Sequence, residues 1–225
     1  MAIQLQGNTG VVAEVDGTSY RALRVSSRPI DTGALGHYRL GMTTGTIAAA
    51  LAANGELFQF RWTDATRLCI IQDITISAGA NVAATAAALV DLECTVARSF
   101  TAAGTGGTTA TLTGNNNKDR TSMGTTLLGE ARIASTAALG AGTKTLDAQP
   151  IDNVFIGIGT GAITTSATLQ LIPKTHLLEI GSEGEHPIVL AQNEGFVIKN
   201  GATAFPAGMT WGLSVTVTWA EVAAF

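Results

Sequence analysis

WGLSVTVTWAEV, residues Trp211 to Val222, alternates large apolar and small polar side chains with a period of two. Trp211, Leu213, Val215, Val217 and Trp219 fall on one face, and Gly212, Ser214, Thr216 and Thr218 on the other. Successive side chains of a strand point to opposite faces, so the alternation predicts a half-buried β-strand and not a helix. Thr at the outward positions suits a pleated surface.

The same grammar recurs upstream. LFQFRWT (57–63) places Phe58, Phe60 and Trp62 opposite Gln59 and Arg61. LCIIQDITIS (68–77) is expected to stack Leu68, Ile70, Ile74 and Ile76 on one face. VDLECTVARSF (90–100) sets Val90, Leu92, Cys94, Val96 and Phe100 against Asp91, Glu93, Thr95 and Ser99. NVFIGIG and TLQLIP read as strands around a turn at Gly159 and Gly161. HPIVLA and FVIKN flank QNEG, where Gly195 is placed for a hairpin. Asp16-Gly17 marks a tight turn between apolar strands near the start, and ANGE before Leu57 marks another.

Helix signals are weak. TIAAALAANG (46–55) and NVAATAAALV (81–90) are rich in Ala, the best helix former, and predict one or two short helices at most. The stretch from 101 to 128 is dominated by Gly, Thr and Asn and predicts one long, contact-making loop. The expected architecture is therefore all-β: a two-sheet β-sandwich, jelly-roll-like, over residues 29–225, preceded by an N-terminal hairpin or arm over 1–28.

With 225 residues, the chain is long enough to bury a core without staples. Charged residues are 13%, about half the ~25% usual for soluble domains, which leaves a neutral or apolar exterior that suits subunit contacts. The net charge of −4, with no basic cluster, argues against nucleic acid, whose phosphates need clustered cations. MAIQLQGNTG has neither the basic nor the apolar region of a signal peptide, and no window reads as a membrane span, so synthesis in a cytoplasm is expected. Cys69 and Cys94 lack metal-ligand spacing; Cys94 sits on an apolar strand face, as a buried free thiol does.

Four sets of residues invite a chemical reading. Asp31-Thr32-Gly33-Ala34 matches the active loop of retroviral-type aspartic proteases, which need two such carboxylates sharing a proton. Here Arg28 and Pro29 stand where a buried strand should lead into the loop, and no partner segment follows, so a turn is expected. GIGTG (157–161) lacks the helix that a phosphate loop opens. His176, Glu179, Glu183, Glu185 and His186 are too widely spaced for a strand-borne metal site, and His37 stands alone. No nucleophile elbow is present. The sequence predicts no enzyme, and no catalytic, cofactor-binding or metal-binding residues.

Five stretches, LRVSSRPIDTGALGHYRLGMTTG (23–45), FQFRWTDATRLCIIQDI (58–74), the run from Ala97 to Thr126, RIASTAALGAGTKTLDAQPI (132–151) and the C-terminal 186–221, resemble virion structural proteins of tailed bacteriophages. The resemblance implies a non-enzymatic capsid cement or decoration protein on the capsid surface of the virion. It would form a homo-oligomer, with a trimer favoured, bind the major capsid protein and stabilise the head. A tail or baseplate component, or a carbohydrate-binding host-recognition component, is the alternative. The resemblance also places PIDTGALG at the entry to the sandwich, away from any protease role.

Overall fold

The computed structural model describes residues 36–47, 50–160, 169–180 and 187–223. The expected N-terminal arm with its Asp16-Gly17 turn, and the Asp31 tetrad, lie outside these residues. The described residues belong to one compact unit, Thr32–Phe225, and contain strands but no helix.

Among the described residues, twelve strands form two antiparallel sheets. In the first, β1 (Gly36–Thr43), β12 (Thr210–Val222) and β3 (Leu68–Val82) lie side by side. The far edge of β3 pairs with β10 (Ile188–Leu190) at one end and with β9 (Leu169–Glu179) along the rest. The second sheet runs in the order β5 (Thr108–Thr109), β6 (Leu128–Ile133), β2 (Glu56–Trp62), β11 (Glu194–Asn200), β4 (Ala88–Ala102). Both β7 (Thr143–Leu146) and β8 (Asp152–Ile158) pair with β4.

The core lies between the sheets. Trp211, Leu213, Val215, Val217 and Trp219 of β12 are buried in it, as are Phe58, Phe60 and Trp62 of β2. Phe60 and Trp219 meet edge to face at 5.4 Å, joining the two inner faces by the geometry aromatic pairs prefer. Each such side chain, fully buried, contributes roughly 1.5–3 kcal/mol. Cys69 and Cys94 are free and buried here, as expected of Cys94.

Two expected strand facings differ in the structure. The Leu68–Ile70–Ile74–Ile76 stack is broken by a bulge: Thr218 pairs with Asp73 but Trp219 with Ile71, leaving Gln72 as the extra residue. An inserted residue reverses the facing of all that precede it. Cys69 and Ile71 therefore join Ile74 and Ile76 inside, while Leu68 and Ile70 pack outside with Ala220, Val222 and Val189. Phe100 is likewise turned away from the main core, because Ser99 adopts a left-handed conformation with φ 49°. It packs on the outer face, over Gly195, where a Cβ would sit 3.0 Å from its Cδ1.

Connections differ as well. β10 and β11 belong to different sheets, so QNEG is a crossing between sheets and not a hairpin. Its left-handed residue is Asn193, φ 59°, whose N–H bonds Trp62 O at 2.9 Å. The Ala-rich stretches are not helical in their described parts. Ile47 bridges to Trp211, and the turn between β3 and β4 is tied by Thr85 N–H to Ala207 O at 3.0 Å. Segments this short cannot hold a helix without an apolar stripe to bury, and strand pairing wins.

A third layer covers the outer face of the second sheet. Residues around 104 and 140 cross it, with Gly104 N–H on Gln59 Oε1 at 2.8 Å and Gly140 N–H on Thr105 O at 2.9 Å. The strap covers Gln59, which is buried although it faces away from the core, with its amide bonded to Gly104 N–H and Gly140 O. The two passes touch: a Cβ at Gly104 would stand 1.7 Å from Gly140 O. The Gly/Thr/Asn segment then reaches the edge of the first sheet, where Lys118 bridges Tyr38 and Asp119 N–H bonds His37 O at 3.3 Å.

Candidate functional site

The singled-out residues fall into separate places. His176 Nδ1 lies 2.7 Å from Asp73 Oδ1 and 3.9 Å from Glu179 Oε2; Glu183, Glu185 and His186 lie outside the described residues. His37 is elsewhere on the first sheet, between Asp119 on one ring nitrogen and Gln72 Oε1, 2.6 Å from the other. Among the described residues no group of three or more His, Cys, Asp and Glu is arranged to hold a metal ion. Gly157 and Ile158 of GIGTG belong to strand β8, and Gly161 is outside the described residues. Burial pushes both thiols up, with Glu221 adding to the effect at Cys69 and Asp152 at Cys94. Neither is a thiolate near neutral pH.

Two buried polar clusters escape a reading of the sequence. Glu221 is 2% exposed and its Oε1 accepts bonds from Thr126 Oγ1 at 2.5 Å, Leu127 N–H at 3.0 Å and Trp219 Nε1 at 3.3 Å. Its carboxyl is pushed above the ordinary range by burial, against the pull of those three donors. In turn it helps burial raise the Tyr38 phenol to about 12. Glu221 thus anchors the C-terminal end of the Gly/Thr/Asn segment to β12.

The second cluster lies under the strap. Glu56 Oε2 receives Gln59 Nε2 at 2.5 Å and Lys144 Nζ at 2.8 Å. The Lys144 ammonium stands 4.9 Å from the centre of the Phe100 ring, a favourable cation–π placement. Gln59, flanked by two phenylalanines in ELFQF, is the one sequence sign of this cluster. Its partner Lys144 is distant in sequence and carries no such sign.

The surface feature suited to a partner is apolar. Phe155 of β8 is 64% exposed and Leu89 of β4 60% exposed. Leu89 lies opposite Gly157 and Phe155 opposite Asp91, so the two large side chains are diagonal neighbours on one face of the pair. Nothing stands within 4 Å of where a Cβ at Gly157 would be, leaving the patch open. Ile151, just before β8, is 43% exposed. Next to it in interest is the Gly/Thr/Asn segment, most of whose residues from Gly114 to Ser122 are exposed. The three tryptophans are buried, as their strand faces predicted.

No protein-family model, no curated protein and no solved structure matches the chain.

Proposed function

We propose that the chain is a non-enzymatic virion structural protein of a tailed phage, a capsid cement or decoration protein. In this reading it assembles as a homo-oligomer, with a trimer favoured, and binds the major capsid protein on the outside of the head. The observation that carries the reading is the pairing of Leu89 and Phe155, both more than half exposed, on a sandwich whose surface holds few charges. Exposed contiguous apolar side chains mark contact sites. The Gly/Thr/Asn segment supports it too, offering a polar backbone-rich surface that can follow a neighbour's contour. Ordering such a segment costs roughly 1–2 kcal/mol per residue, which repeated engagement in a lattice offsets through effective concentration.

A jelly-roll-like path for the sandwich is part of the same reading, supported by the way successive strands pass from one sheet to the other. Carbohydrate binding in a tail tip is the weaker alternative, since Trp62, Trp211 and Trp219 are all buried and unable to serve as sugar-stacking platforms. Mass spectrometry of separated heads and tails tests the proposal. Peptides of this chain should appear in the head fraction at a stoichiometry fixed to the major capsid protein; confinement to tails would overturn it.

A further inference from the structure

The cluster beneath the strap holds more than a buried ion pair requires. Lys144 carries a primary amine, Gln59 an acyl carbon with a nitrogen leaving group, and Glu56 a carboxylate that touches both. Nζ of Lys144 and Nε2 of Gln59 lie on the same oxygen, Glu56 Oε2, at 2.8 and 2.5 Å. The two nitrogens that would exchange places on one carbon are thus within about two hydrogen-bond lengths of each other. Gln59 Oε1 accepts the backbone N–H of Gly104 at 2.8 Å, a fixed donor aimed at the oxygen where charge would develop. Water is largely shut out: the Lys144 side chain is 3% exposed, that of Glu56 8%, and Gln59 as a whole 1%.

We propose that Lys144 and Gln59 are joined by an intramolecular isopeptide bond, with Glu56 moving the protons. Glu56 first takes a proton from the Lys144 ammonium, which frees the nitrogen lone pair. Nζ attacks Cδ of Gln59, the carbonyl electrons move onto Oε1, and the Gly104 N–H holds that oxyanion. Glu56 then hands its proton to Nε2. As the oxyanion collapses, the Cδ–Nε2 bond breaks and the nitrogen leaves with the surplus proton as ammonium. One Nζ–Cδ bond forms, one Cδ–Nε2 bond breaks, Glu56 ends as the carboxylate it began as, and no oxidant or reductant is needed. Holding amine, acid–base group and amide together replaces a bimolecular encounter with a unimolecular one, and the dry site suppresses competing hydrolysis. The product would tie β7 to β2 across the outer face of the second sheet, over β11 and β4, and close the strap covalently.

The test uses the full chain, purified after native incubation and weighed intact under denaturing conditions. The expected mass is that of the sequence less one ammonia, and a digest should yield a branched peptide joining the Gln59 and Lys144 segments. Lys144→Arg and Glu56→Gln should each restore the full mass. The wild-type measurement decides even if a variant fails to fold. A wild-type chain at full mass overturns the proposal, and so does ammonia loss that maps to a ring-closed Asn54-Gly55 without a branched peptide. This bond stands or falls apart from the capsid reading, because it is detected in the isolated protein.

Discussion

Glu221 is the residue whose chemistry departs furthest from what its neighbours in sequence suggest. It lies near the end of a strand of apolar and hydroxyl side chains and is buried with three donors on one oxygen. Removing the acceptor leaves those donors unpaired, so Glu221→Ala should cost about 1–3 kcal/mol in urea unfolding. The direction of its titration gives a second test. Folding raises this carboxyl above the 4.5 of a free side chain, so the folded state holds the proton to higher pH than the unfolded one. The resulting contribution is complete below the unfolded value and is lost as pH rises through the folded one. Measured from about pH 4 to pH 7, wild type should therefore lose stability relative to Glu221→Gln as pH rises. A difference that stays flat, or shrinks with acid in the opposite sense, would contradict the assignment. Residue facing was legible wherever alternation ran unbroken, as at Trp211 to Trp219. It failed at Leu68, Ile70 and Phe100 because the bulge at Gln72 and the left-handed Ser99 change facing without any mark in composition. The two buried clusters were illegible for a related reason: their partners meet only through long-range crossings.

At the scale of elements, the strap depends on close backbone approach. A methyl group at Gly104 would press on Gly140 O, and backbone there cannot yield cheaply. Gly104→Ala should destabilise by about 1–3 kcal/mol, the usual cost of overpacking, and should speed amide exchange at Gly140, which bonds Thr105 O. Gly124→Ala is the matched control, since nothing lies within 4 Å of its added Cβ; its effect should stay within about 0.5 kcal/mol. If both behave alike in thermal melts, the strap is not packed as described. The existence and type of most strands were readable from period two. Their partners were not, because a turn sequence such as QNEG fits a crossing between sheets as well as a hairpin. The Ala-rich stretches misled in the other direction: helix propensity there is real but short-range, and pairing with distant strands overrides it.

For the whole molecule, the low charge content and the exposed Leu89–Phe155 patch are the features on which the proposed self-association and docking rest. Phe155→Asp leaves the core intact, since Phe155 points outward, and should shift the sedimentation profile at micromolar concentration toward monomer while the melting temperature changes little. An unchanged oligomer would move the contact elsewhere on the surface. The virion setting is the proposal; the fold adds to it an apolar site where the proposed contact can be sought. A high-resolution reconstruction of the phage head decides whether the chain is part of the shell. The two-sheet sandwich should fit density on the outside of the shell, repeated with the lattice, with the β8–β4 surface against a neighbouring subunit. A complete shell map with no density for the chain would contradict it.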